Sequence, residues 1–163
     1  VATIPLADIP EEIENPMPAP REIVDVAQEI RDAQHPDIDG ARIAYVLVPG
    51  AEPVEGKRIE LGRARKVSKI VRLLTDTDFI ISLNWLMWQQ LDDAQQKALL
   101  DHELTHCVPD INAKGDMVGW KIRKHDVEDF VSVIDRHGLW TRDLEVLGEH
   151  MRQLNLFEKK AAS

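Results

Sequence analysis

Leu99-Leu100-Asp101-His102-Glu103-Leu104-Thr105-His106-Cys107 is the stretch from which the rest of the chain can be read. Histidines four apart on a helix lie one turn apart on one face, so both imidazoles can reach a single metal ion. The glutamate between them stands beside that ion without ligating it, where it can take a proton from metal-bound water. Leu99, Leu100, Leu104 and Cys107 form an apolar stripe that lets the helix pack on a core and still present its histidines. Asp92 with Gln95 three residues on is a capping-box signal, and Ala94 to Leu100 propagates the helix. Cys107 adjoins His106, but adjacent helical residues diverge by about 100°, which gives it a buried apolar role.

Upstream, Phe79 to Leu83 is a short apolar run and reads as a strand, followed by a short helix through Trp85, Leu86, Trp88 and Leu91. Residues 57 to 75 fit two readings: Val67, Ile70, Val71 and Leu74 have helical spacing, while their branching favours a strand. Arg42 to Val48 alternates and is rich in β-branched residues, as a strand requires. A helix begins near Pro20 with Ile23, Val26, Ala27 and Ile30 on one face, and the turn Pro36 to Gly40 ends it. Five of the nine prolines fall in the first twenty residues, with Asp8, Glu11, Glu12 and Glu14 among them. Residues 1–19 are therefore expected to be an extended acidic arm outside the core, and residues 20–163 one domain.

Downstream, Pro109 to Gly115 reads as a loop and Val118, Trp120 and Ile122 as an alternating strand. Asp126 to Arg136 is expected to be a helix with Val127, Phe130, Val131 and Ile134 inward, closed by Gly138. Thr141 to Phe157 is expected to be the last, with Leu144, Leu147, Met151 and Leu154 inward. These elements make an α+β fold: a small antiparallel or mixed sheet packed on the histidine helix, with flanking helices.

At 163 residues, 44% hydrophobic and 30% charged, the chain is globular, with apolar runs far too short to span a membrane. No charged-then-apolar leader opens it, and one cysteine suits a reducing cytoplasm. A net charge of −9 argues against a surface built wholly for nucleic acid. The basic residues Lys57, Arg58, Arg63, Arg65, Lys66, Lys69 and Arg72 nevertheless cluster against one acid, Glu60. A solvated face is the favoured reading and a docking patch for DNA or an acidic protein the other; no aromatic residues interleave to stack bases.

A catalytic zinc site needs a third protein ligand and an open position. His35 and His150 read as structural or solvent-facing, and His137 suits a helix C-terminus. His125 opens the helix after the strand, outside its apolar stripe, with Asp129 one turn on as a carboxylate that could hold the ring. Glu128 is the competing ligand and Asp129 a remoter one; Asp101 reads as a surface residue.

The run 99–107, preceded by Asp78-Phe79-Ile80-Ile81-Ser82-Leu83-Asn84 and followed by His125-Asp126-Val127-Glu128-Asp129-Phe130, resembles the phage metallopeptidase family over roughly residues 40 to 157. It is more distantly similar to SprT/Spartan-like and WLM metalloproteases. The resemblance implies a zincin-like fold and a Zn²⁺-dependent peptidase of phage or prophage origin, working in the bacterial cytoplasm. It implies His102, His106 and His125 as metal ligands and Glu103 as the catalytic base. On this reading the partner is a peptide or protein substrate, with Phe79 to Leu83 as the sheet edge that binds it. A zinc-stabilised binding protein without turnover, and a DNA-associated Spartan-like protease using Lys57 to Arg72, are the alternatives.

Overall fold

The apolar run at 79–84 becomes β4 (Phe79–Asn84), and the sheet is organised around it. In this computed structural model residues 3–51, 53–128 and 130–161 are described, the last six of them without side chains. The chain divides into two compact units, Val1–Arg123 and Lys124–Ser163. In the first, β1 (Met17–Pro18), β2 (Ile43–Val48), β3 (Gly62–Lys66) and β4 form one sheet in the order β1-β2-β4-β3. β2 runs parallel to β4 in unbroken register, Ile43 opposite Phe79 through Val48 opposite Asn84. β1 and β3 are antiparallel edges.

β4 is therefore an interior strand, and the expectation that it offers a free edge is wrong. A near-continuous apolar run is what a strand paired on both sides carries. The edges are β1 and β3, and β3 carries a basic, alternating sequence, the usual protection of an edge strand. The stretch that fits both helix and strand contains both. β3 ends at Lys66, and α2 (Lys69–Thr75) follows after Ser68, whose side chain accepts from Val71 N. Asp76, in left-handed conformation at φ 53°, stops that helix.

One face of the sheet carries Tyr45, Leu47, Phe79, Ile81 and Leu83, all buried. Against them pack α1 (Arg21–Gln34), through Ile23 and Ala27, and α4 (Asp93–His106), through Leu99, Leu100 and Leu104. Each fully buried aliphatic side chain contributes roughly 1.5–3 kcal/mol of transfer free energy, so this layer fixes α4 on the sheet. The capping box forms as read: Gln95 N donates to Asp92 and Asp92 N to Gln95, at 2.8 and 3.0 Å. The short helix α3 (Trp85–Trp88) joins β4 to α4.

The N-terminal arm is not outside the core. Ile9 and Ala19 belong to the buried cluster, and Met17 and Pro18 pair with Leu47 and Val46. Trp85 Nε1 donates to Pro10 O at 2.7 Å and Gln89 Nε2 to Glu11 O at 2.9 Å. Proline bars an interior strand but not an edge strand, and the short β1 is an edge.

After α4 the chain runs straight into β5 (Cys107–Ile111), which pairs antiparallel with β6 (Met117–Ile122). The expected loop from Pro109 is thus a strand up to Ile111, with Pro109 tolerated because a two-stranded ribbon has only edges. The turn follows at Asn112, whose side chain accepts from Lys114 N and Asp116 N.

The second unit holds α5 (Val131–His137) and α6 (Arg142–Ala161). α5 starts five residues later than expected at Asp126, since His, Asp and Val propagate a helix poorly. Gly138, at φ 67°, closes it as read. Leu144 is buried, but Phe130, Val131, Leu147, Met151 and Leu154, all expected inward, are exposed.

Candidate metal centre

α4 delivers His102 and His106 on its last two turns. Their Nε2 atoms lie 3.3 Å apart, with the rings nearly perpendicular at 83°. Two imidazoles on one zinc at about 2.05 Å, subtending a tetrahedral angle, would hold their nitrogens about 3.3 Å apart. The pair therefore fits a shared metal ion without rearrangement. A backbone carbonyl fixes the tautomer of one ring: His106 Nδ1 donates to Arg123 O at 2.6 Å, which leaves Nε2 as the ligating atom. Arg123 N also donates back to His106 O at 2.7 Å, so the end of β6 is clamped to the end of α4.

His125 follows Arg123 by two residues, a span of at most about 7 Å, so the clamp limits how far its ring can lie from His106. The ligand atoms of His102, His106 and His125 lie within 4.8 Å of one another, and these three could hold a metal ion. His125 stands on the segment between β6 and α5 rather than opening a helix. Glu128 is exposed and is not part of that group. Asp129 lies outside the described residues.

Glu103 lies between the histidines in sequence but turns toward the sheet, where it is only 3% exposed. Burial pushes its carboxyl above the usual carboxylate range and Glu60 adds to the rise. His106, a hydrogen bond from the Ala64 backbone N–H, and Arg63 pull it back without reversing it. A carboxylate so placed is a stronger base than one in water. Gly62 makes the approach possible, because a Cβ there would come 3.0 Å from Glu103 Oε1.

Three contributors to the site were absent from the sequence reading. Gly62 could have been found, since an isolated glycine in a strand pattern signals close approach of another group. The Ala64 amide left no trace, because a backbone donor has no residue signature. The third is the link from Asp101 to His35, at 2.7 Å, which ties the residue before His102 to the end of α1. Asp101 is therefore a half-exposed partner rather than an idle surface residue, and His35 is its structural counterpart.

The other candidates fall outside the site. His150 Nδ1 donates to Val146 O within α6, and His137 lies in the last turn of α5. Cys107 is buried and its thiol is pushed up to about 12, by burial first and then by the charge of Glu103, so it stays protonated and apolar in character. Tyr45 is buried in the sheet–helix core, its hydroxyl also pushed up to about 12 by burial.

Among the described residues no helix is long and apolar enough to cross a membrane. No curated protein and no solved structure matches the chain. A family model does, over residues 16–152, and its description, "Putative phage metallopeptidase", implies a metal and a peptide or protein substrate. With that match covering most of its length, around a histidine pair spaced for one metal ion, the chain belongs to the phage metallopeptidase family.

Proposed function

We propose that the protein is a zinc-dependent peptidase in which His102, His106 and His125 hold the ion and Glu103 is the catalytic base. The observation that carries this reading is the 3.3 Å separation of the two Nε2 atoms, with a buried carboxylate on the residue after His102. Three imidazoles are a donor set suited to zinc, and three protein ligands leave the open position that catalysis requires. When bound, the ion supplies a Lewis acid that polarises a carbonyl and lowers the pKa of water.

Glu103 takes the proton of the attacking water at its carboxylate and passes it to the leaving amine, the two-way use that a raised carboxyl pKa favours. The Ala64 N–H holds that carboxylate in place. Asn84 N donates to Leu61 O and Val67 N to Asp78 O, so residues 61, 63, 65 and 67 turn their backbone toward β4. Gly62, Ala64 and Lys66 then turn theirs outward, beside Glu103. An extended peptide added along this edge would present its own backbone to the base.

Glu103→Gln keeps the size of the side chain and its ability to accept from Ala64, but cannot take a proton. Peptide hydrolysis should fall by about three orders of magnitude, roughly 4 kcal/mol, with zinc content measured by elemental analysis unchanged. Cleavage at the wild-type rate would remove Glu103 from the mechanism, and metal-free protein purified without chelator would remove the zinc.

A further inference from the structure

We propose that the substrate segment is acidic at alternate positions, read by Arg63 and Arg65 on the outer face of β3. This rests on the peptidase reading and names the substrate class for that site. Side chains alternate along a strand, so Gly62 and Ala64 face α4 and Glu103 while Arg63 and Arg65 project from the opposite face. Arg65 confirms the direction: its Nη1 donates to Ser82 Oγ at 3.1 Å, and Ser82 is the residue paired with Arg63 across β4.

A peptide strand paired with β3 places every second side chain on the guanidinium face, directly opposite or diagonal to Arg63 and Arg65. The two arginines differ in how far their charge is already met. Arg63 is paired with Glu60, both about half-exposed. Arg65 meets a neutral hydroxyl, that of Ser82, which leaves its charge for an incoming carboxylate. Lys57, Arg58 and Lys66 are exposed on the same segment, so this edge is a basic strip on a chain of net charge −9. Elsewhere that net charge repels acidic peptides, and here the strip attracts them. Phosphates could answer the same charge. The outward backbone of β3 beside Glu103 favours a strand-forming peptide, and no aromatic residue lies among the basics to stack a base.

The test uses the full chain with zinc, in the Glu103→Gln form, and three capped decapeptides carrying Glu, Gln or Lys at alternate positions, followed by fluorescence anisotropy. The Glu peptide should bind about tenfold tighter than the Gln peptide and the Lys peptide most weakly. Arg65→Gln, which keeps a donor for Ser82, should erase most of that preference, and Arg65→Glu should invert it in favour of Lys. Equal affinity for all three peptides, or a preference untouched in both Arg65 variants, overturns the proposal. A single-stranded oligonucleotide that binds with steep salt dependence, is lost in Arg65→Glu, and is unaccompanied by any peptide preference overturns it in favour of nucleic acid. Wild-type enzyme that binds the Glu peptide preferentially yet never cuts it would contradict the hydrolytic reading while leaving this one standing.

Discussion

The two compact units are built from equally regular apolar patterns, yet nearly all the buried apolar residues lie in one of them, and even there α2 leaves Ile70, Leu73 and Leu74 exposed. In Val1–Arg123 the periodic residues of α1, β2, β4 and α4 end in a common interior, with Leu47, Phe79, Ile81, Leu83, Leu100 and Leu104 all fully buried. In Lys124–Ser163 the stripe Leu144, Leu147, Met151, Leu154 has the same helical spacing, but only Leu144 is buried and the others are 44–58% exposed. Periodicity predicts the helix because it reports which side chains share a face. Burial needs a second surface to receive that face, and the sequence of one element does not say whether it has one. The histidine pair and Glu103 stand on a helix held by a packed layer, and Arg123 is clamped to His106 at the end of that helix.

The contrast can be broken by mutation. Leu100→Ala should destabilise the protein by about 3 kcal/mol, as deletion of a fully buried leucine side chain does, read as a shift in the denaturation midpoint. A loss under 1 kcal/mol would mean that the layer beneath the metal helix is not a tight core. Removing residues 1–19 should cost about 2–3 kcal/mol, since Ile9, Ala19 and the β1 pairing go with them. An unchanged melting temperature would show that the arm contributes nothing to folding.

A smaller effect concerns Asp78, which is buried between Arg42 and Arg72. Burial pushes its carboxyl up, but hydrogen bonds from Arg42 and the charges of Arg72 and Arg42 outweigh this and hold it below the usual carboxylate value. A group with a depressed folded-state pKa stabilises above its unfolded pKa and loses that contribution as pH falls through the folded one. Asp78→Asn should therefore cost about 2 kcal/mol at neutral pH, with the two stability curves converging below about pH 4. Curves that stay parallel well below that pH would remove the ionic lock at the start of β4. At the small end, Leu154→Ala should change stability by less than about 0.5 kcal/mol, and a loss as large as that of Leu100→Ala would erase the distinction between the units.

Much of the site was legible because its parts have local signatures. The His-Glu-x-x-His spacing, the Asp92–Gln95 box and the apolar stripe of α4 all lie within one helix, where sequence distance sets spatial distance. What was misread depends on distant pairing. Whether Phe79 to Leu83 is an edge or an interior strand is decided by β2 and β3, far away in sequence. The split of residues 57–75 into β3 and α2 turns on a single cap, Ser68. The prolines of the arm read as an extended segment outside the core, but they forbid only an interior strand and permit pairing at an edge and a carbonyl accepting from Trp85. His125 reads from sequence as opening a helix, and that helix begins six residues later.

Zinc affinity, measured by competition with a chromophoric chelator, decides which three side chains would hold the ion. His125→Ala should weaken zinc binding by more than about a hundredfold, since deleting a ligand exceeds the 10–100-fold loss typical of an outer-shell change, while Glu128→Ala should bind zinc as the wild type does. If Glu128→Ala loses the metal and His125→Ala retains it, the centre is a two-histidine, one-carboxylate site and the assignment of His125 is wrong.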